Sequence, residues 1–307
     1  MTGDARSATG DDEPTRPFVD GPPGALEPVW DAARAAARHW GLPEPSLLRV
    51  GMNGIFVAGG VVLRVGRATA PAEASIELAS VLTRAGVRVP RPARDEGLVA
   101  GPLTVTAWER LTLVDADPDW RAVGAMVRRV HALPLSAVPA GFPVPRGATF
   151  PWWQFDALLA EVDDLLDPAA RDGLHRVVEA HRGWDVGAAE VLCHGDVHPG
   201  NVAMTTEGPV LLDWDLVCRA PAGWDHAPLL RAARWGWPTR WYEEFAAGYG
   251  VSLADDPTAQ ALAELRLVAA TLMRLRAGRA DPAAMPEAQH RLAYWRGDPA
   301  APTWHPV

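Results

Sequence analysis

The sequence predicts an α+β chain with a small antiparallel sheet near its N-terminus and a larger, mostly helical region behind it. Three short runs rich in branched apolar residues, at 47–50, 55–58 and 61–65, are separated only by glycine turns, the pattern of an antiparallel meander. From Asp119 onward apolar residues recur mainly at helical spacing, interrupted between Val191 and Asp215 by one further hairpin.

The elements follow in order. Residues 1–24 lack apolar periodicity and carry Gly, Pro and Asp, so a disordered leader is expected there. A helix is expected from Glu27, with Pro28 at its first position, Val29, Trp30, Ala33 and Ala37 on one face, and Gly41 at its end. The strands come next, turning at Gly51-Met52-Asn53-Gly54 and at Gly59-Gly60. A second helix over 71–85 has Ile76, Ala79 and Leu82 at core spacing and stops at Gly86. Residues 87–92 lead into a strand pair that ends near Leu111. A helix over 119–133 carries Val123, Val127 and Val130, with His131 near its end in a packed, hydrogen-bonded position.

After a Pro- and Gly-rich connection at 134–151, helical stretches are expected at 152–166 and 168–182. The first carries Trp152, Trp153, Asp156, Glu161, Asp163 and Asp164. These read either as an aromatic and acidic wall for a substrate or as one core face and one wet face. Trp224-Asp225 precedes another helical stretch, with Asp225 as its expected N-cap. Further helices are expected near 239–248, 258–277 and 286–296.

At 307 residues and 48% hydrophobic content, the chain can bury cores in two regions of ordinary domain size. No run approaches eighteen apolar residues, and the first residues are polar and proline-bearing, so neither a membrane span nor a secretory signal is expected. Two cysteines, Cys193 and Cys218, lack metal-ligand spacing, which makes a reducing cytoplasm the default. A net charge of −9 argues against nucleic acid as the main partner and suits a cationic substrate or plain solubility. The chain has no lysine; its 29 basic residues are all arginine.

The most informative stretch is VLCHGDVHPGNVAMTTEGPVLLDWD, from Val191 to Asp215. A polar loop, His194 to Asn201, opens a hairpin that turns at Thr206-Glu207-Gly208 and ends at Asp213, so three oxygen-bearing side chains converge: Asp196, Asn201 and Asp213. Phosphoryl transfer calls for such a set. The protein must orient a hydroxyl, hold magnesium on hard oxygen ligands and neutralise charge on the phosphoryl oxygens. An Asp five residues before an Asn, with another Asp twelve residues later, matches the kinase spacing of catalytic base and two metal ligands.

In this form, His-Gly-Asp and Asp-Trp-Asp in place of His-Arg-Asp and Asp-Phe-Gly, the motif resembles the aminoglycoside phosphotransferase and choline kinase family of small-molecule kinases. The resemblance implies a two-lobed, protein-kinase-like fold: a nucleotide lobe at 25–107, a hinge at 108–110 and a catalytic and substrate lobe at 111–307. It implies Asp196 as catalytic base, Asn201 and Asp213 as Mg2+ ligands, ATP or GTP as co-substrate and a small-molecule hydroxyl as acceptor. His194 and Asp215 would support the loop. Arg64, in the third strand, stands where relatives carry a phosphate-binding Lys or Arg; taken alone it reads better as an exposed cation on the outward sheet face, and the loop motif is what favours the phosphate role. Asn53 and Gly54 would form the turn over the phosphates, and the backbone of Trp108, Glu109 and Arg110 would read the adenine edge. A helix Glu normally pairs with the strand-three cation, but the familiar position falls on Ser75, so Glu73 and Glu77 are both candidates. Two rival readings stand beside this one: a nucleotide-binding regulatory protein without turnover, and a metal-dependent hydrolase using His194, His198, Asp196 and Asp213.

Overall fold

The computed structural model describes residues 25–305; the expected leader lies outside the described residues. Helix α1 (Leu26–His39) buries Val29, Ala33 and Ala36 completely against a sheet. The sheet is built from β1 (Ser46–Val50), β2 (Gly54–Ala58), β3 (Val61–Gly66), β4 (Leu98–Ala100) and β5 (Leu103–Glu109), and α2 (Ala72–Arg84) crosses between β3 and β4. Its order is β1-β2-β3-β5-β4, antiparallel throughout. Phe56, Leu63, Val65, Val105 and Ala107 alternate inward to meet α1, as the two-residue period of a strand requires. Arg64 therefore points to the opposite face of central β3, where it lies between Ile55 and Thr106 in register.

The second helix serves another core. Ala74, Leu78, Ala79 and Leu82 of α2 pack with Trp120, Val123, Val127 and Leu211 rather than with α1. So α2 fastens the sheet to the helical region beyond it. That region comprises α3 (Trp120–His131), α4 (Phe155–Val162), α5 (Pro168–Ala180), β6 (Val191–Cys193), β7 (Val202–Thr205), β8 (Gly208–Leu211) and β9 (Cys218–Ala220), then α6 (Gly223–Leu230), α7 (Arg240–Tyr249), α8 (Pro257–Ala280) and α9 (Met285–Trp295). β7 and β8 form the expected hairpin; β6 pairs with β9, setting the free thiols Cys193 and Cys218 opposite each other. α3 and α7 cross backbone to backbone at two glycines. A Cβ on Gly124 would stand 2.0 Å from Phe245 O, and one on Gly248 1.8 Å from Arg121 O.

Two local expectations change. The stretch expected as one helix over 152–166 is a 3₁₀ turn (Pro151–Trp153), then α4, then a second 3₁₀ turn (Asp163–Leu165). Trp152 and Trp153 are buried with Trp224, their ring centroids 5.6 and 4.5 Å from it, while the acids pair with arginines: Asp156 with Arg182, Glu161 with Arg276, Asp163 with Arg171 and Asp164 with Arg279. This is the core-and-wet-face arrangement. Asp225, expected as an N-cap, lies inside α6 and is fully buried. No helix among the described residues is long and apolar enough to cross a membrane.

Candidate functional site

β6 delivers the chain to the polar loop, and the buried Asp225 carboxylate receives it. That carboxylate accepts hydrogen bonds from the backbone N–H groups of His194 (2.8 Å) and Gly195 (2.9 Å) and from His131 Nε2 (3.0 Å). Burial pushes the Asp225 carboxyl up, but the His131 hydrogen bond and charge outweigh it and hold the group below the ordinary carboxylate range. Gly195 has φ +95°, and a Cβ there would fall 1.8 Å from Leu216 O, so only glycine fits. Its carbonyl accepts from Trp224 Nε1 (3.2 Å) and Arg266 Nη2 (2.6 Å).

His194 uses both ring nitrogens inside the protein. Nδ1 accepts from Asp196 N–H (3.2 Å), so the network assigns the proton to Nε2, which donates to Leu212 O (2.9 Å). Burial lowers its pKa, keeping the ring neutral. His194 is thus a strut with no lone pair left for a metal, which removes the hydrolase reading that used it as a ligand.

The half-buried Asp196 receives Arg266 Nη2 on Oδ1 at 3.1 Å; Oδ2 takes Asn201 Nδ2 at 3.2 Å and faces His198 Nε2 at 3.3 Å. Burial would raise its carboxyl, but His198, with its hydrogen bond, and then Arg266 prevail and hold it far below the usual range. Burial likewise opposes the charged form of His198, and Asp196 overcomes it, leaving the imidazole pKa raised. Asn201 Nδ2 also donates to the Asp196 carbonyl (2.9 Å), leaving the amide oxygen as the group's acceptor.

Leu212 stitches loop to strand: its N–H donates to Asn201 O at 2.9 Å, and its carbonyl takes His194. The next residue, Asp213, adopts φ +58°, a left-handed conformation uncommon outside glycine. This kink follows directly on the residue tied to Asn201 and His194. The protein packed around Asp213 and then the Asp215 carboxylate push its carboxyl up, with Arg64 pulling the other way. Carboxylate and amide oxygens are the hard donors a divalent cation such as Mg2+ prefers, so the chemistry of Asn201 and Asp213 fits that ion.

From the sheet side, Arg64 Nη2 pairs with Asp215 Oδ2, and Thr69 Oγ1 donates to Asp215 Oδ1 at 3.0 Å. Glu73 and Glu77 are exposed on α2, and neither pairs with Arg64. The expected helix-Glu partner is therefore corrected: both acids lie on the side of α2 away from the core that Ala74 and Leu78 enter, so helix geometry turns them to solvent. The Asn53 side chain lies over Gly66, where a Cβ would come 1.9 Å from Asn53 Oδ1; Gly54 is required by packing, since a Cβ there would meet Val29 Cγ1 at 2.6 Å. In the expected hinge, Trp108 Nε1 donates to Thr106 Oγ1 (2.9 Å), Glu109 N–H to Arg91 O (2.8 Å) and Arg110 N–H to Gly60 O (3.0 Å). The two N–H groups at 109 and 110 are thus engaged within the sheet region. The chain then reaches the helical region at Leu113, which bridges to Thr205.

Sequence reading missed Asp225 as an anchor and Arg266 altogether. Each left a trace: one acid or one arginine inside an otherwise apolar helical run, Gly223-Trp224-Asp225-His226-Ala227 and Leu265-Arg266-Leu267-Val268. A charge in such a run must find a buried partner.

A five-stranded antiparallel sheet followed by a mostly helical region, which carries the polar loop from His194 to Asn201, defines a kinase-like fold of the small-molecule phosphotransferase class. The chain belongs to the phosphotransferase enzyme family, whose model matches residues 56–268. Among solved structures it is similar to the GDP complex of aminoglycoside 2'-phosphotransferase-IIIa, at 16% identity and TM-score 0.68, over 87% of this chain and 97% of that one. It is also similar to amicoumacin kinase hAmiN in complex with AMP-PNP, Ca2+ and Ami (16% identity, TM-score 0.61, 89% and 94% covered). A third is a choline/ethanolamine kinase family protein from Mesorhizobium loti (18% identity, TM-score 0.57, 84% and 88% covered). No curated protein sequence matches the chain.

Proposed function

We propose that this small-molecule phosphotransferase moves the γ-phosphoryl group of ATP or GTP to a hydroxyl of its acceptor. The observation that carries the reading is the hydrogen-bonded unit of Asp196 and Asn201, joined through Leu212 to Asp213 and faced by Arg64 from β3. Asp196 orients the acceptor hydroxyl and takes its proton as the oxygen attacks. Its low basicity matches a transition state in which bond-breaking to the leaving phosphate runs ahead, so positioning matters more than proton abstraction. Asn201 and Asp213 would hold Mg2+, which supplies charge neutralisation on the nucleotide phosphates. Arg64 grips the α- and β-phosphates through its planar fork, the task a lysine performs elsewhere. Residues 25–107 would form the nucleotide lobe, 108–110 the hinge and 111–307 the acceptor side.

Solved relatives hold GDP and AMP-PNP, which supports a nucleotide co-substrate. A spectinomycin phosphotransferase among them is complexed with ADP and its antibiotic, which supports a hydroxylated acceptor. The net charge of −9 favours a cationic acceptor, aminoglycoside-like or otherwise. The test is nucleotide consumption with ATP and with GTP, in Mg2+, over a panel of hydroxylated antibiotics and metabolites. An acceptor should emerge whose phosphorylation falls by about 10²- to 10⁴-fold in Asp196→Ala. Turnover unchanged in that variant would overturn the role of Asp196; nucleotide binding with no transfer to any acceptor would favour a regulatory protein of the same fold.

A further inference from the structure

We propose that Asp215 is the positioning counter-ion of Arg64, and that a contact between the sheet and the helical region does here what a glutamate on α2 does in other kinase folds. The inference rests on the phosphate role given to Arg64 above. Three independent observations meet on it. The helix position that normally supplies the acid is Ser75, whose hydroxyl bonds to its own helix at Pro71 O (3.1 Å). The two nearby acids, Glu73 and Glu77, face solvent. And Asp215 presents one oxygen to Arg64 and the other to Thr69 Oγ1 at 3.0 Å.

The geometry gives the pair a particular duty. Arg64 belongs to the central strand of the sheet and Thr69 to the segment leading into α2, whereas Asp215 follows Asp213 in the segment between β8 and β9. The carboxylate therefore clasps two points of the sheet region at once. A guanidinium on an outward strand face has many rotamers open to it, and a fixed counter-ion selects the one that projects toward Asp213 and Asp215. Because Asp215 sits two residues from Asp213, the same short segment sets both the phosphate clamp and a metal ligand. In folds that use a helix glutamate, swinging the helix breaks the ion pair and switches the enzyme off; with the acid on the segment beyond β8, rotation of α2 has no such ion pair to break. The clamp of this chain joins β3 and the segment before α2 directly to the segment beyond β8.

Double-mutant cycles test this in Arg64→Met, Asp215→Asn and the pair, with Asp215→Glu as the conservative variant. Calorimetric binding of Mg2+-ADP and steady-state kinetics give the functional readouts, and thermal unfolding without nucleotide gives a readout that does not depend on activity. We expect Arg64→Met and Asp215→Asn each to weaken nucleotide binding by about tenfold, the loss of one charge-assisted contact. The double variant should be no weaker than the worse single, Asp215→Glu should recover part of the loss, and the two substitutions should also couple in Tm. Glu73→Gln and Glu77→Gln should leave nucleotide KM unchanged. Losses that multiply in the double variant, or a nucleotide KM that moves in either glutamate variant, would overturn the assignment. A Mg2+ requirement raised by Asp215→Asn, with no coupling to Arg64, would also overturn it, by making Asp215 a metal ligand. If the protein bound no nucleotide at all, the function proposed above would fail, while coupling in Tm would still report whether the ion pair forms.

Discussion

Asp225 of α6 accepts the backbone N–H of Gly195 at 2.9 Å, and this bond, with its twin to His194, holds the loop that carries Asp196. Asparagine at 225 would keep the shape but present an N–H₂ to one of the donors it now accepts, and it would leave His131 without its anion. A hydrogen bond to a buried charged group contributes about 1.5–3 kcal/mol, so Asp225→Asn, which disturbs several at once, should lower stability by at least that order in urea unfolding and reduce turnover with it. The pH dependence has a definite sign. The folded-state carboxyl lies below its unfolded value of about 3.9, so its contribution is complete above that pH and is lost as the pH falls through the folded value. The wild type should therefore lose more stability than Asp225→Asn on acidification below about pH 4.

His226, next along α6, works in the opposite pH range. It is fully buried, its Nδ1 lies 3.3 Å from Tyr242 OH, and its Nε2 has no hydrogen-bond partner among the described residues. Burial, then the neighbouring His131, push its pKa down to about 4, with Asp225 opposing. The unfolded chain binds a proton near pH 6.5 and the folded chain does not until about 4. Stability is thus complete above 6.5 and declines as the pH falls toward 4, by about 3 kcal/mol in all. His226→Phe should flatten that decline when unfolding free energy is measured between pH 4 and 7. An unchanged slope would show that the imidazole titrates freely in the native state.

Much of this was legible in the sequence because the signals were local. Glycine turns and branched apolar runs place the meander, and the spacing of Asp196, Asn201 and Asp213 within one hairpin places the loop. What stayed hidden depends on contacts across long stretches of chain. Asp225 lies 30 residues from the backbone it anchors, Arg266 lies 70 residues from Asp196, and Asp215 lies 151 residues from Arg64. Nothing in a helical periodicity says which buried partner a lone charge will meet. The acids between Asp156 and Asp164 show the converse: read alone they fit either a substrate wall or a wet face, and only the fold reveals that arginines already neutralise them.

Arg266 supports a prediction about rate. It donates to both Gly195 O and Asp196 Oδ1, and its guanidinium stands 5.3 Å from the Trp152 ring and 5.8 Å from Trp224. Methionine preserves the packing of the stem over those rings and removes the charge. The Asp196 carboxylate then loses one of the bonds that fix its rotamer. A hydrogen bond to a charged group contributes about 1.5–3 kcal/mol, so Arg266→Met should lower kcat by about 10- to 100-fold. Nucleotide KM should stay near the wild-type value, because Arg266 bonds to the proposed base and to Gly195 O rather than to Arg64 or the proposed metal ligands. A change confined to nucleotide KM would remove Arg266 from the positioning of Asp196.

The crossing of α3 and α7 gives the sharpest test of the fold itself. Alanine is a better helix former than glycine by about 1 kcal/mol, so Gly124→Ala on its own helix would be stabilising. The added methyl, however, would sit 2.0 Å from Phe245 O and 2.8 Å from Tyr249 N, both backbone atoms of α7 that no side-chain rotation can move aside. The helices must part, and they part at a contact that also holds Trp120 against Trp241 and Phe245, their ring centroids 5.7 and 6.5 Å away. Overpacking of this kind costs about 1–3 kcal/mol and more where backbone must shift, which outweighs the propensity gain. Gly124→Ala should lower Tm by about 5 °C or more, whereas Gly60→Ala, with open space around its Cβ position and no left-handed backbone, should leave Tm nearly unchanged. Equal melting of the two variants would mean that α3 and α7 do not approach this closely in solution.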